Sequence, residues 1–123
     1  MIIALISQEK NLGILTLTDY IQNKLGKSNC SVVGWNYLTT DYKNILDKIK
    51  EFSDNNRNVI IKYVVPKIKF SNQEIAYPEE LNKISDVIFR VPSYKEEIAP
   101  VVPIDLYKGE NNPVVECIKE FYR

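Results

Sequence analysis

The chain contains no histidine and only two cysteines, Cys30 and Cys117, among its 123 residues. The first absence excludes a Cys/His zinc site and every triad that needs an imidazole as its base. The second leaves two thiols far apart in sequence, which read as plain buried side chains in a reducing compartment rather than as a disulfide or a nucleophile. An excess of either charge is missing as well, because Lys+Arg and Asp+Glu each total 16. No global field is therefore available to hold a polyanion or to draw the chain to an acidic membrane, and there is no strong nucleic-acid signal. Long apolar runs are also lacking. Met1 to Ser7 is apolar, but no basic stretch accompanies it and Gln8-Glu9-Lys10-Asn11 interrupts it well short of membrane-spanning length. That opening reads as a buried strand rather than a signal peptide, and a cytoplasmic protein without a membrane segment is expected.

What is present is the composition of an ordinary globular protein, with 45% apolar and 26% charged residues. The length suits one domain over residues 1–123, and neither a linker, an internal repeat nor a low-complexity segment divides it. Strand signals and helix signals alternate along the chain. Ile2 to Ser7 predicts a strand buried on both faces of a parallel sheet. A helix is expected from about Ile14 to Leu25, with Leu17, Tyr20, Ile21 and Leu25 inward and Gly26 placed to stop it.

Cys30 to Trp35 predicts a second strand, and Leu38, Tyr42, Ile45, Leu46, Ile49 and Phe52 fall at helical spacing over a second helix from about Thr40 to Phe52. Thr39 or Thr40 is its expected N-cap. Asn58 to Val65 is long, β-branched and closed by Pro66, the strongest strand signal in the sequence. A loop over residues 67–77 and a short helix from Pro78 to Ile84 lead to a fourth strand, Asp86 to Val91. A fifth is expected over Val101 to Tyr107, with Pro103 indicating a sheet edge. The last helix should start near Asn112-Pro113 and bury Val114, Cys117, Ile118 and Phe121. The alternation argues for a three-layer α/β domain, a mainly parallel sheet of four or five strands with helices on both faces. Ile3, Leu5, Val59, Ile61, Val64, Val87 and Phe89 are expected to form one sheet core.

The opening from Met1 to Leu17 is similar to the first strand and phosphate loop of the ParA/MinD partition ATPases, a hydrophobic strand followed by Gln and Lys-Gly-Gly-x-Gly-Lys-Thr-Thr. Aligned without a gap, Gln8 matches the Gln, Gly13 the third Gly and Thr16 the last Thr. Glu9 stands at the signature lysine, Lys10 and Asn11 at two glycines, Ile14 at the phosphate-binding lysine and Leu15 at the magnesium-binding hydroxyl. Asn58 to Pro66 resembles the family's Walker B strand, with Lys62 in place of its aspartate. Leu81 to Ser93 resembles a later segment in which an Asp precedes a strand ending in Pro and a small polar residue. Val32 to Asn36 takes the place of the second strand, leaving Gly34 and Asn36 where the family has an Asp-x-Asp pair. The resemblance covers residues 1 to about 93 and implies a shortened P-loop-NTPase-like, Rossmann-like fold.

A phosphate loop works through glycine-exposed N–H groups, a lysine on the β- and γ-phosphates, and a hydroxyl plus an aspartate on magnesium. Here Gln8, Gly13 and Thr16 are vestigial positions of such a loop. One lost charge-assisted phosphate contact costs about 1.5–3 kcal/mol. No catalytic residue, no cofactor and no metal are therefore expected. Lys62 is expected to reach solvent along its stem, unless it supplies positive charge beside a bound phosphate. Glu79-Glu80 and Glu96-Glu97 read as solvated surface, because adjacent carboxylates diverge. The tyrosines read as core packing rather than as base-stacking platforms, and the C-terminal helix, whose charges cancel, as packed on the sheet or on a partner.

The function expected is that of a non-catalytic ParA/MinD-like pseudo-ATPase acting through a protein partner or self-association, in plasmid, phage or chromosome partition or positioning. The Tyr107 to Arg123 tail is the apolar surface expected to serve it. Two alternatives remain: a nucleotide-binding protein or enzyme with an unrecognised site, and an unrelated small α/β interaction protein of a mobile element.

Overall fold

In the structure, a computed structural model that describes residues 1–11, 13–66, 77–92 and 105–122, five strands form one sheet. The strands are β1 (Ile2–Gln8), β2 (Cys30–Asn36), β3 (Asn58–Val65), β4 (Val87–Arg90) and β5 (Asp105–Lys108). Their order across the sheet is β2-β3-β1-β4-β5. The pairs β1–β3, β1–β4 and β2–β3 are parallel, and β5 joins β4 antiparallel. The central strand β1 is thus covered on both edges, and every residue from Ile3 to Ser7 is buried. That burial explains its continuous apolar run, since both faces of a central parallel strand meet helices.

Among the described residues four α-helices cover the faces: α1 (Gly13–Leu25), α2 (Lys43–Asp54), α3 (Glu79–Ile84) and α4 (Val114–Phe121). In α1 the buried residues Ile14, Leu17, Thr18 and Ile21 recur at helical spacing and settle on one face of the sheet with Val114, Val115 and Ile118 of α4. The opposite face carries α2 and α3 through Ile49 and Leu81, together with Trp35, Tyr63 and Val65. Gly26, at φ 93°, ends α1 in a backbone conformation that side chains resist. Arg57 ties the amino end of β2 to β3, donating from Nε to Ser31 Oγ at 2.6 Å and from one terminal nitrogen to Ser28 O at 2.8 Å.

Several expectations change. The sheet core is two clusters rather than one, because successive side chains of a strand point to opposite faces. Ile3, Leu5, Val87 and Phe89 belong to the α1/α4 side, Val59 and Ile61 to the α2/α3 side, and Val64 is only half-buried. Helix α2 starts at Lys43, and neither Thr39 nor Thr40 caps it. The chain after β2 turns instead: Leu38 N donates to Asn36 Oδ1 at 2.8 Å and Thr39 N to Asn36 O at 2.9 Å. Such local bonds compete with helix formation, and they leave Leu38 69% exposed rather than on an inner stripe.

The apolar residues of α4 turn inward, so the C-terminal tail is not the open apolar surface expected from the sequence. Its exposed large apolar side chain among the described residues is Tyr107. Strand β5 lies at the edge, as Pro103 suggested, but runs from Asp105 to Lys108. The expected strand residues 101–104, the loop 67–76 and the pair Glu96-Glu97 lie outside the described residues.

Candidate functional site

The chain leaves β1 toward β2 on one side of the sheet, through α1, and later passes from β3 over β1 to β4 on the other side, through α3. Where the connections of two neighbouring strands, here β1 and β3, leave to opposite sides, the carboxyl ends of the strands leave a crevice between loops, the usual ligand position in open α/β sheets. Residues from three segments meet at that end. A cavity of about 410 Å³ is lined by Ile14, Gly34, Trp35, Asn36, Thr39, Lys62 and Val64.

The floor comes from the β2–β3 ladder, where Gly34 pairs with Lys62 and Asn36 with Val64. Parity puts Gly34, Asn36, Lys62 and Val64 on the α1 side, like Val32 and Ile60 beside them. Gly34 has no side chain to occupy the space above it, and a Cβ added there would meet nothing within 4 Å. Ile14, in the first turn of α1, forms the facing wall. Among the described residues the lining contains no carboxylate, thiol or imidazole, so the chemistry they supply is one ammonium, hydrogen-bond donors and an apolar wall.

The β1–α1 turn stands next to this cavity and is filled by its own side chain. Asn11 Oδ1 accepts from Gly13 N at 3.0 Å, and Asn11 Nδ2 donates to Pro92 O at 3.1 Å. Glu9 N continues the ladder to Val65 O at 2.9 Å, and Lys10 takes φ 61°. The helix-start N–H of Gly13, which could face an anion, is thereby already bonded.

Of the three positions that the resemblance assigns to a vestigial loop, Gln8 is the half-buried last residue of β1, Gly13 opens α1, and Thr16 points to solvent; none lines the cavity. Ile14, Gly34, Asn36 and Lys62, which stand where the resemblance requires charged or metal-binding groups, do line it together. Lys62 lies inside β3 and not at its end, half-buried over the cavity floor. Sequence reasoning missed Thr39, read as a helix cap, and Asn11, read only as a departure from glycine. The Asn11-x-Gly13 spacing at a helix start was the available signal for a cap.

The remaining candidates are structural. Glu79 lies 3.8 Å from Lys83 while the Glu80 carboxylate accepts from Tyr42 Oη at 3.1 Å, so the adjacent pair does diverge. That hydrogen bond is the main reason the Tyr42 phenol is raised above its ordinary value. Tyr42 also packs on Trp35 at 5.1 Å between ring centres. Cys30 is buried, and burial pushes its thiol up against a smaller opposing pull from Arg57.

No helix among the described residues is long and apolar enough to cross a membrane, and no group of acidic, histidine or cysteine residues among them could hold a metal ion. Comparison with protein-family models, with curated proteins and with solved structures gives no match.

Proposed function

We propose that this chain is a non-hydrolysing, P-loop-NTPase-like relative of the ParA/MinD partition ATPases that works through protein contacts, in plasmid, phage or chromosome partition or positioning. One observation carries the reading. The positions that the resemblance assigns to the phosphate-binding lysine, the Walker B aspartate and the second-strand acidic pair, namely Ile14, Lys62, Gly34 and Asn36, come from three segments and line one cavity. In an active enzyme the two magnesium-holding groups must converge, which requires the phosphate-loop strand to lie beside the Walker B strand. The neighbouring β1 and β3, paired in parallel from Ile2–Val59 to Gln8–Val65, agree with that strand arrangement, whereas Leu15, at the hydroxyl position, is exposed and lies outside the cavity lining. With isoleucine and lysine where charge neutralisation and metal binding are needed, and Asn11 bonded to the start of α1, the chain is expected to keep the scaffold without the reaction.

The contact surface in this reading is the same carboxyl end. Leu38 and Leu15 are the most exposed large apolar residues among those described, at 69% and 52%, and each is the sequence neighbour of a cavity-lining residue. Self-association through this end is the simplest form, since two-fold pairing needs only one self-complementary patch. Light scattering over a concentration series is the test, with Leu15→Glu and Leu38→Glu as variants. The wild-type mass should rise with concentration and the variants should stay monomeric. A wild-type chain that remains monomeric and also retains no protein in a pull-down from its native cell overturns the proposal.

A further inference from the structure

The cavity over Gly34 holds a positive charge that no described residue answers. Lys62 is half-buried within β3, and it makes neither an ion pair nor a hydrogen bond with a described residue. A lysine stem packs readily on apolar surface, but its ammonium favours water or an anion, and a partly buried one gains most from a counter-ion.

Two further donors share the lining. Asn36 accepts Leu38 N through Oδ1, which holds its carboxamide and leaves Nδ2 as a donor with no described partner. The Thr39 hydroxyl is the other. Three donors, no acidic residue among the described lining and an apolar wall from Ile14 and Val64 describe a site for an anion with an apolar body.

We infer that this cavity binds a small monocarboxylate with a short apolar tail, its carboxylate on Lys62, Asn36 and Thr39. The inference rests on the cavity alone and not on the resemblance. A polyphosphate fits the same site poorly. Among the described lining residues one ammonium balances one negative charge and none is an acidic, histidine or cysteine metal ligand, and the Gly13 N–H is engaged by Asn11. A volume of about 410 Å³ lies in the usual range of small-molecule sites, and branched or aromatic acids suit its apolar wall.

The test is an amide-resolved NMR titration of the full chain with sodium isovalerate and sodium benzoate. Sodium phosphate and sodium chloride at matched ionic strength are the parallel arms. The carboxylates should shift the amides of Gly34, Asn36, Thr39 and Lys62 saturably, with a Kd on the order of 1 mM or tighter. Lys62→Met should weaken binding at least about ten-fold, the loss of one charge-assisted contact. Gly34→Val should weaken it by placing an isopropyl group on the cavity floor beside Lys62, and because its Cβ position is open the variant should fold even if Lys62→Met does not. Lys50→Met, on α2 and outside the cavity lining, should leave Kd unchanged. The inference is overturned by the absence of saturation with both carboxylates, by an unchanged Kd in Gly34→Val, or by phosphate saturating the same amides more tightly.

Discussion

Gly34 and Lys62 are register partners across the parallel β2–β3 ladder, and the side chain that Gly34 lacks leaves open the space into which the cavity extends. The glycine is needed there for its emptiness rather than for an unusual backbone angle, since its φ is not positive. Gly34→Val should therefore leave the fold intact. A glycine inside a strand costs roughly 0.5–1 kcal/mol relative to alanine, so the substitution should be neutral or stabilising by up to about 1 kcal/mol. Urea melts would check this, and a loss above about 1 kcal/mol would mean that the space is required for packing.

Under the proposed ParA/MinD-like reading, no ATP or GTP hydrolysis above a buffer control is expected, because that reading puts Ile14 and Lys62 where the reaction needs a lysine and a magnesium ligand. A coupled phosphate-release assay decides. Turnover that disappears when Gly13 or Thr16 is replaced would contradict the expectation.

Ile61 is fully buried against α2 and α3, whereas Val64, three positions further along β3, is only half-buried. Ile61→Ala should cost about 2–5 kcal/mol and Val64→Ala clearly less. Equal losses in denaturant melts, or a loss under about 0.5 kcal/mol for Ile61→Ala, would show the two environments to be misassigned.

Asn11 joins the start of α1 to the end of β4 through its two hydrogen bonds. Asn11→Ala removes both and should destabilise by about 0.5–2 kcal/mol, the range of a lost helix cap. Asn11→Asp keeps the acceptor for Gly13 N and loses the donor to Pro92 O, so its melt should fall between wild type and alanine. An aspartate variant as unstable as the alanine variant would assign the stabilisation to the Pro92 contact instead.

Burial holds the Cys30 thiol above its ordinary value of 9.0 and the Tyr63 phenol above 10.0. Both groups bind their protons more tightly folded than unfolded. The stability this contributes is fully present below the unfolded values and is lost as pH rises through the raised folded ones. The urea midpoint should therefore fall above about pH 9 from these two groups, and Tyr63→Phe should reduce the fall above about pH 10. At pH 8 the half-buried Cys117 should react with a thiol reagent well before Cys30. A Cys30 that reacts as fast in the native protein would refute its burial.

Element identity was legible from local pattern. The apolar run of β1, the β-branched run of β3 closed by Pro66, the helical spacing of α1 and Gly26 as its stop are short-range properties, and the chain follows them. The start of α2 was not legible, because the turn that delays it depends on which group the Asn36 side chain bonds. The candidate site was half visible. Lys62, Gly34, Asn36 and Ile14 could be singled out by where the resemblance puts them, yet nothing local placed them around a common space or added Thr39 to them.

By itself the sequence determined an α/β chain of alternating strands and helices without a histidine-based or Cys/His metal site, because composition and periodicity act residue by residue. The order β2-β3-β1-β4-β5, the division of the apolar residues into two cores, and the cavity over Gly34 were decided only by the tertiary structure. Each depends on which strands become neighbours. That choice is made by long-range pairing and by the face on which each helix crosses the sheet, and no window of the sequence contains it.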